Sequence, residues 1–141
     1  MNKPTLSREA LLAALPDLAN DLQRLSLFVE RGHLRANATP ARGRDVAYQL
    51  TAIIQDYAGD FDALAQAVIA WVAVEQPDML ANPERSARGI RFECELLDNE
   101  QADIQLEIDL TEAVRPVSGG TGFEHPAEPP ADPTAAWLTN G

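Results

Sequence analysis

Carboxylates are the most numerous side chains in this sequence that could do acid–base chemistry. Five of them stand at alternate positions in two apolar segments: Glu93, Glu95, Asp103, Glu107 and Asp109. Alternate residues of a strand share one face, so these carboxylates should form a row. Two neighbouring carboxylates can serve as general acid and general base. A regular row along a strand is more typical of a solvent-exposed surface, and we expect no enzymatic activity.

Other groups that could hold a metal ion or act as a nucleophile are few and scattered. Asp56, Asp60 and Asp62 lack the spacing and the closing glutamate of an EF-hand loop. The chain has two histidines and one cysteine, too few for a zinc site built from the protein alone. The sequence contains no nucleophile elbow, no phosphate-binding glycine loop and no H-E-x-x-H motif. We therefore predict no cofactor and no metal.

Composition limits the class of protein further. The 141 residues include 22 acidic and 11 basic side chains, for a net charge of −11. This length fits one domain, and the acidic balance argues against nucleic-acid binding through a broad basic surface. No apolar segment approaches the roughly 20 residues needed to span a bilayer, and no secretory signal is recognisable. A single cysteine excludes an intramolecular disulfide, so we expect a small, acidic, soluble protein of a reducing compartment.

Charge is distributed unevenly along the chain. Residues 1–44 carry a net charge of +3, whereas residues 45–141 carry −14. The first part contains four arginines with no acidic residue between them: Arg31, Arg35, Arg42 and Arg44. Oppositely charged patches allow copies of one chain to bind head to tail, which is how rings form. These arginines are therefore candidates for a subunit interface; the alternative is a solvated basic loop beside an unrelated acidic surface.

The elements that must position these residues follow from the hydrophobic pattern. Residues 5–31 predict one helix or two, because Pro16 interrupts the pattern and Gly32 fits a C-cap. Residues 33–44 are ambiguous between a short strand and a loop, and alternation over 46–55 predicts a strand.

A central helix is predicted over residues 60–76, with Asp60 as its N-cap and a loop over 78–89 after it. The helix has no charged residue from Ala63 to Val74, so it should be covered on more than one side. One cover is the sheet, and the other is the N-terminal helix or a neighbouring subunit. Trp71 is accordingly a core aromatic or a subunit-interface residue.

The clearest local signal is an antiparallel hairpin with strands at 90–96 and 104–110, in which Cys94 is expected to be buried. Residues 116–141 are rich in proline and glycine and predict a flexible tail, in which Trp137 and Leu138 are a docking peptide or a frayed terminus.

The predicted fold class is α+β: an N-terminal helix, an antiparallel sheet of three to four strands and one central helix packed on it. The predicted division is a domain over 1–115 and a disordered tail over 116–141.

Several short motifs resemble the tail completion protein R family (GpR) of Peduovirus-type contractile-tailed phages. They are FVERG at 28–32, DYAGDFD at 56–62, AW at 70–71, QPD at 76–78 and LTE at 110–112, within a resemblance that spans about residues 4–115. The resemblance implies a structural virion protein that finishes the tail so that it can join a filled head. It also implies assembly in the host cytoplasm, a place in the tail or neck, and tail tube, sheath and head connector proteins as partners.

The predicted order of elements is more distantly similar to that of tail terminator proteins, which cap the tail tube as six-subunit rings. By this analogy the row of five acids would line a lumen through which DNA passes without specific binding, because like charges repel. Two alternatives remain open. One is a head–tail connector or collar protein, and the other is a monomeric acidic adaptor that binds its partner through the C-terminal tail.

Overall fold

An antiparallel sheet with helices on one face forms the frame of this chain. The computed structural model describes residues 1–36, 43–97, 100–117 and 122–127. The helices are α1 (Lys3–Ala14), α2 (Pro16–Ala19), a 3₁₀ turn (Leu22–Arg24), α3 (Phe61–Glu75), α4 (Pro77–Ala81) and α5 (Pro83–Ser86). The strands are β1 (Leu25–Ala36), β2 (Arg44–Tyr57), β3 (Ile90–Leu96), β4 (Ala102–Pro116) and β5 (Phe123–Glu124). The predicted α+β class is confirmed.

The sheet has the order β1-β2-β4-β3, and every neighbouring pair is antiparallel. Leu50 of β2 lies between Val29 of β1 and Ile108 of β4, and one register continues across the three strands. Even-numbered residues of β2 up to Ile54 and of β4 point toward the helices, and Tyr57 takes this side after an irregularity near the end of β2. They form the core with residues of α1, α2, α3 and α4, in which Leu18, Ile54, Leu64 and Val72 are fully buried.

Three local predictions are confirmed. The strand at 46–55 lies within β2, the hairpin is formed by β3 and β4, and the central helix is α3. The side chain of Asp60 caps α3 by accepting a hydrogen bond from the backbone N–H of Asp62. α3 packs on the sheet and against α1, and its outer side keeps exposed apolar residues such as Ile69 and Val74.

The helix predicted over residues 5–31 ends too late. Its last part is the edge strand β1, because Leu25, Leu27 and Val29 pair with β2 and alternate toward the helix side of the sheet. Gly32 is therefore no helix cap. It lies in β1 beside an irregularity in the pairing, where Arg31 adopts a positive φ of 54°.

Two further predictions are wrong. Residues 78–89 are not only loop, since they contain most of α4 and all of α5. Cys94 is exposed rather than buried, and so are its strand neighbours Phe92 and Leu96, with 55% and 82% of their surface accessible. β3 is an edge strand of the described sheet, and the helices do not extend far enough to cover it.

The first residues of the predicted tail return to the sheet. β5 pairs Phe123 with Pro116 and Glu124 with Arg115 of β4. Residues 128–141, with Trp137 and Leu138, lie outside the described residues. The division into a domain over 1–115 and a tail over 116–141 stays a prediction.

Candidate functional site

The sheet face turned away from the helices, called the open face below, carries all five carboxylates predicted to form a row. In the register of the hairpin, Glu95 lies opposite Asp103, Glu93 opposite Gln105, and Arg91 opposite Glu107. The same face of β2 presents Gln49, Thr51 and Ile53. No described helix packs on the open face. The structure therefore brings these five side chains together on one surface.

Arg91 divides this surface into two parts. Its guanidinium lies 3.0 Å from Asp109 and 3.4 Å from Glu107, and it also donates to the side-chain oxygen of Gln49 at 3.1 Å. The bond to Asp109 raises the pKa of Arg91 above its ordinary value. Two of the five acids thus share one arginine, which offsets one of their two negative charges, and the alternation pattern did not predict this pairing.

The other three acids form a more strongly negative end of the open face. Glu93, Glu95 and Asp103 line a shallow depression of about 270 Å³ between β3 and β4. Asp103 accepts a hydrogen bond from the backbone N–H of Asp56 at 2.9 Å. Within the described part of the chain, no group of three or more His, Cys, Asp or Glu residues is placed to hold a metal ion.

The described interface arginines do not form one patch: Arg31 and Arg35 lie on the edge strand β1, and Arg44 begins the inner strand β2. Arg31 is exposed at the irregularity of β1, where it donates to the side-chain oxygen of Gln49 at 3.4 Å. Arg35 lies opposite Asp45, and Arg44 lies 5.0 Å above the ring of Phe123. Arg42 lies outside the described residues.

Trp71 belongs to the core of its own chain. It lies on the buried side of α3 with Leu64, Val68 and Val72, and only 8% of its surface is accessible. Its indole N–H has no hydrogen-bond partner among the described residues. The geometry supports the interpretation of Trp71 as a core aromatic, and little of its ring is available to a neighbouring subunit.

An apolar groove runs between α3 and the edge strand β3, on the helix side of the sheet. One part, of about 480 Å³, is lined by Phe61, Phe92, Cys94 and Leu96 among others. A second part, of about 420 Å³, shares Phe61 and Phe92 and continues to Ile69. The rings of Phe61 and Phe92 are in contact, with centroids 4.8 Å apart. We call this surface the β3 groove.

A buried polar cluster that the sequence analysis missed joins the first residues of the chain to β4. The carboxylate of Glu112 accepts hydrogen bonds from the Tyr48 hydroxyl at 2.5 Å and from the backbone N–H of Asn2 at 2.8 Å. The ammonium of Lys3 donates to the backbone carbonyl of Glu75 at 2.5 Å, to that of Thr111 at 2.6 Å and to the side-chain oxygen of Gln76 at 2.9 Å.

The pKa values of the two acidic groups of this cluster shift in opposite directions. Burial opposes ionisation of Glu112, but the hydrogen bonds from Tyr48 and Asn2 outweigh it and hold the pKa of Glu112 below its usual range. Burial and the neighbouring carboxylate raise the pKa of the Tyr48 hydroxyl. His125 lies 3.5 Å from Glu112, so residues 122–127 cover the cluster from outside. This arrangement fixes the first residues of the chain against β4, and a depression of about 210 Å³ lies beside it, lined by Asn2, Lys3, Glu112 and His125 among others.

One sequence feature could have indicated this cluster. The helix-facing positions of β4 are apolar at 104, 106, 108 and 110, and Glu112 continues the same alternation. A carboxylate at a core-facing strand position requires buried partners, because an unpaired buried charge is costly.

No described helix has the length and apolar character needed to cross a membrane.

The comparisons with known proteins indicate one family. The family model described as P2 phage tail completion protein R (GpR) matches residues 1–129. The chain is similar to tail completion protein R of Escherichia phage P2, with 31% identity over 132 residues, which cover 92% of this chain and 85% of that protein. No solved structure gives a significant match.

These matches confirm the family resemblance noted in the sequence and extend it beyond residue 115. The chain accordingly acts in tail completion, as a structural component of the phage tail. The chain belongs to the P2 phage tail completion protein R (GpR) family.

Proposed function

We propose that this chain caps the end of the tail tube as a ring and prepares the tail for joining to a filled head. The observation that carries this proposal is the open face. A sheet of four long strands and the short β5 has its described helices on one side, and the other side is acidic, although Gln49 and Thr51 at its centre are buried. A ring of such chains with the open faces turned inward would have an acidic lumen.

The lumen role follows from electrostatics. DNA carries about one negative charge per 1.7 Å of its axis, so an acidic wall repels it and prevents adhesion during passage. The partners in this proposal are further copies of the chain, most simply six, with tail tube and sheath proteins on one side and head connector proteins on the other. Assembly takes place in the host cytoplasm, and the finished ring lies in the tail or neck of the virion.

Deletion of the gene tests the capping role, with electron microscopy of the resulting particles as the readout. We expect filled heads beside unjoined tails, and tails of irregular length would identify the protein as a terminator. Tails of normal length without heads would instead favour a head–tail connector or collar protein. Intact infectious particles would contradict both roles and leave the adaptor that binds through residues 137–138.

Charge reversal inside the open face tests the lumen role. Asp103→Lys with Gln105→Lys places two cations on the inner strand β4, away from both sheet edges. We expect assembled particles whose DNA ejection is slowed, because DNA adheres to the wall. Glu9→Lys with Gln23→Lys is the matched control, since it makes the same charge change at exposed positions outside the sheet. If both pairs eject DNA as the unsubstituted chain does, the lumen assignment is wrong.

A further inference from the structure

We propose that neighbouring copies of this chain join edge to edge, with β1 of one copy pairing with β3 of the next. This inference rests on the proposed ring and specifies its subunit contact. Among the described residues, β1 and β3 are the two outer strands of the order β1-β2-β4-β3. Each therefore presents backbone N–H and C=O groups on one side that no described strand pairs. Such edges are protected in most proteins or are used for pairing with another chain.

Strand directions permit this contact. Neighbouring strands alternate in direction, and an even number of strands makes β1 and β3 run oppositely. A β3 edge that meets the β1 edge of a second copy therefore continues the antiparallel pattern, with both open faces on the same side. Because the two edges differ, the contact is heterologous and can repeat until a ring closes.

Apolar side chains at both edges also match. On the helix side, β3 exposes Phe92 and Leu96 along the β3 groove. On the same side of the sheet, β1 exposes Val29 and Leu34, with 41% and 69% of their surface accessible. Pairing the two edges would place these rows side by side and remove both from water, which is favourable by roughly 25 cal/mol per Å² of apolar area.

Charge identifies a second copy as the occupant of the β3 groove and decides which edge it brings. β1 carries exposed Arg31 and Arg35 beside one acid, Glu30, whereas β3 carries exposed Glu93 and Glu95 beside Arg91, which is already paired with Glu107 and Asp109 of its own chain. Contact between β1 and β3 brings opposite charges together. Contact between two β1 edges or two β3 edges brings like charges together, which is unfavourable.

The chain supplies its own probe, because Cys94 is its single cysteine and lies exposed on the helix side of β3. A second cysteine is introduced at Leu27, Val29 or Leu34, three helix-side positions of β1, one variant at a time. Several positions are needed because closed sheets require a stagger between strands. Phe28→Cys is the matched control: it is 48% exposed on the same strand but lies on the open face. A disulfide needs the Cβ atoms of the two cysteines to point toward each other, and side chains on opposite faces of a sheet point apart.

The variants are assembled into particles that lack the unsubstituted chain, and the particles are oxidised and separated by non-reducing electrophoresis. We expect a ladder of covalent dimers, trimers and larger species from at least one helix-side variant. The unsubstituted chain and Phe28→Cys should stay monomeric. Leu34→Cys keeps the experiment informative if the half-buried Leu27 does not tolerate replacement, because Leu34 is largely exposed.

Two results overturn the edge contact while the proposed ring stands: rings or joined particles that contain the variants but give no ladder, and Cys94–Cys94 dimers from the unsubstituted chain. Absence of the protein from tails altogether contradicts the proposed function itself. The electron micrographs and the protein content of the same particles separate these cases.

Discussion

The hydrogen bond between Tyr48 and Glu112 allows a quantitative test of the buried cluster. Both residues are 4% exposed, and the oxygen atoms are 2.5 Å apart. Tyr48→Phe removes only the hydroxyl and keeps the ring, so no cavity in the core results. Glu112→Leu removes the charge and both acceptor oxygens and keeps a side chain of similar size. The two single variants and the double variant form a cycle that isolates the interaction between the two side chains.

The expected coupling energy at pH 7 is about 1.5–3 kcal/mol, the range for a hydrogen bond to a charged group. The coupling energy should lie in this range because the pair is buried, and water cannot replace either partner when it is removed. Urea unfolding monitored by tryptophan fluorescence measures the free energy of unfolding, since Trp71 is in the core. The control cycle is Arg85 with Asp78, a pair at 2.5 Å whose side chains are 41% and 51% exposed. Its coupling should be only about 0.2–1 kcal/mol.

The same cycle should depend on pH with a defined sign. The pKa of Glu112 in the folded chain lies below the ordinary value of 4.5. The stability from its charged form is therefore present above pH 4.5 and is lost as the pH falls through the lowered pKa. A coupling energy below about 0.5 kcal/mol at pH 7, a value typical of exposed pairs, would refute the reasoning. So would a coupling that does not weaken in acid.

Other substitutions test the packing. Leu18→Ala should lower the free energy of unfolding by about 2–5 kcal/mol because Leu18 is fully buried, whereas Leu22→Ala, at an exposed position, should change it by less than about 0.5 kcal/mol. Asp60→Ala removes the cap of α3 and should cost about 0.5–2 kcal/mol in the same urea titration. Gly89→Ala should cost about 1–3 kcal/mol, since a Cβ there would lie 2.2 Å from a methionine sulfur. Gly32→Ala is the matched comparison, with the nearest atoms 3.7 Å away, and equal losses at the two glycines would contradict the packing argument.

The location of β1 could not be predicted from the local pattern. Leu18, Leu22, Leu25 and Val29 fit a helical stripe, while Leu25, Leu27 and Val29 equally fit the alternation of a strand. Pairing with β2 decides between them, and that pairing joins residues far apart in sequence. β2 and α3 were predictable because each has one period and a clear start, such as the Asp60 cap.

The candidate site was predictable in part for a related reason. Alternation correctly placed the five acids on one face, since the period of a strand fixes facing without any knowledge of its neighbours. Alternation also predicted burial of Cys94, which was wrong, because burial depends on how far the helices extend over the sheet. The ion pairs of Arg91 depend on the register of the hairpin and had no local signal.

The cluster around Glu112 also has a consequence for the order of folding. The backbone N–H of Asn2 and its carboxylate partner are 110 positions apart, and Lys3 finds its acceptors 72 to 108 positions later. During synthesis α1 emerges first and can contact β1 and α3 before β4 is made, but Asn2 and Lys3 find their partners in β4 only when that strand is complete. Contacts of such long range form late, because the entropy of closing the loop must be overcome first. A nascent chain that ends before β4 therefore cannot complete the fold. The folded subunit appears only when nearly the whole domain has been translated.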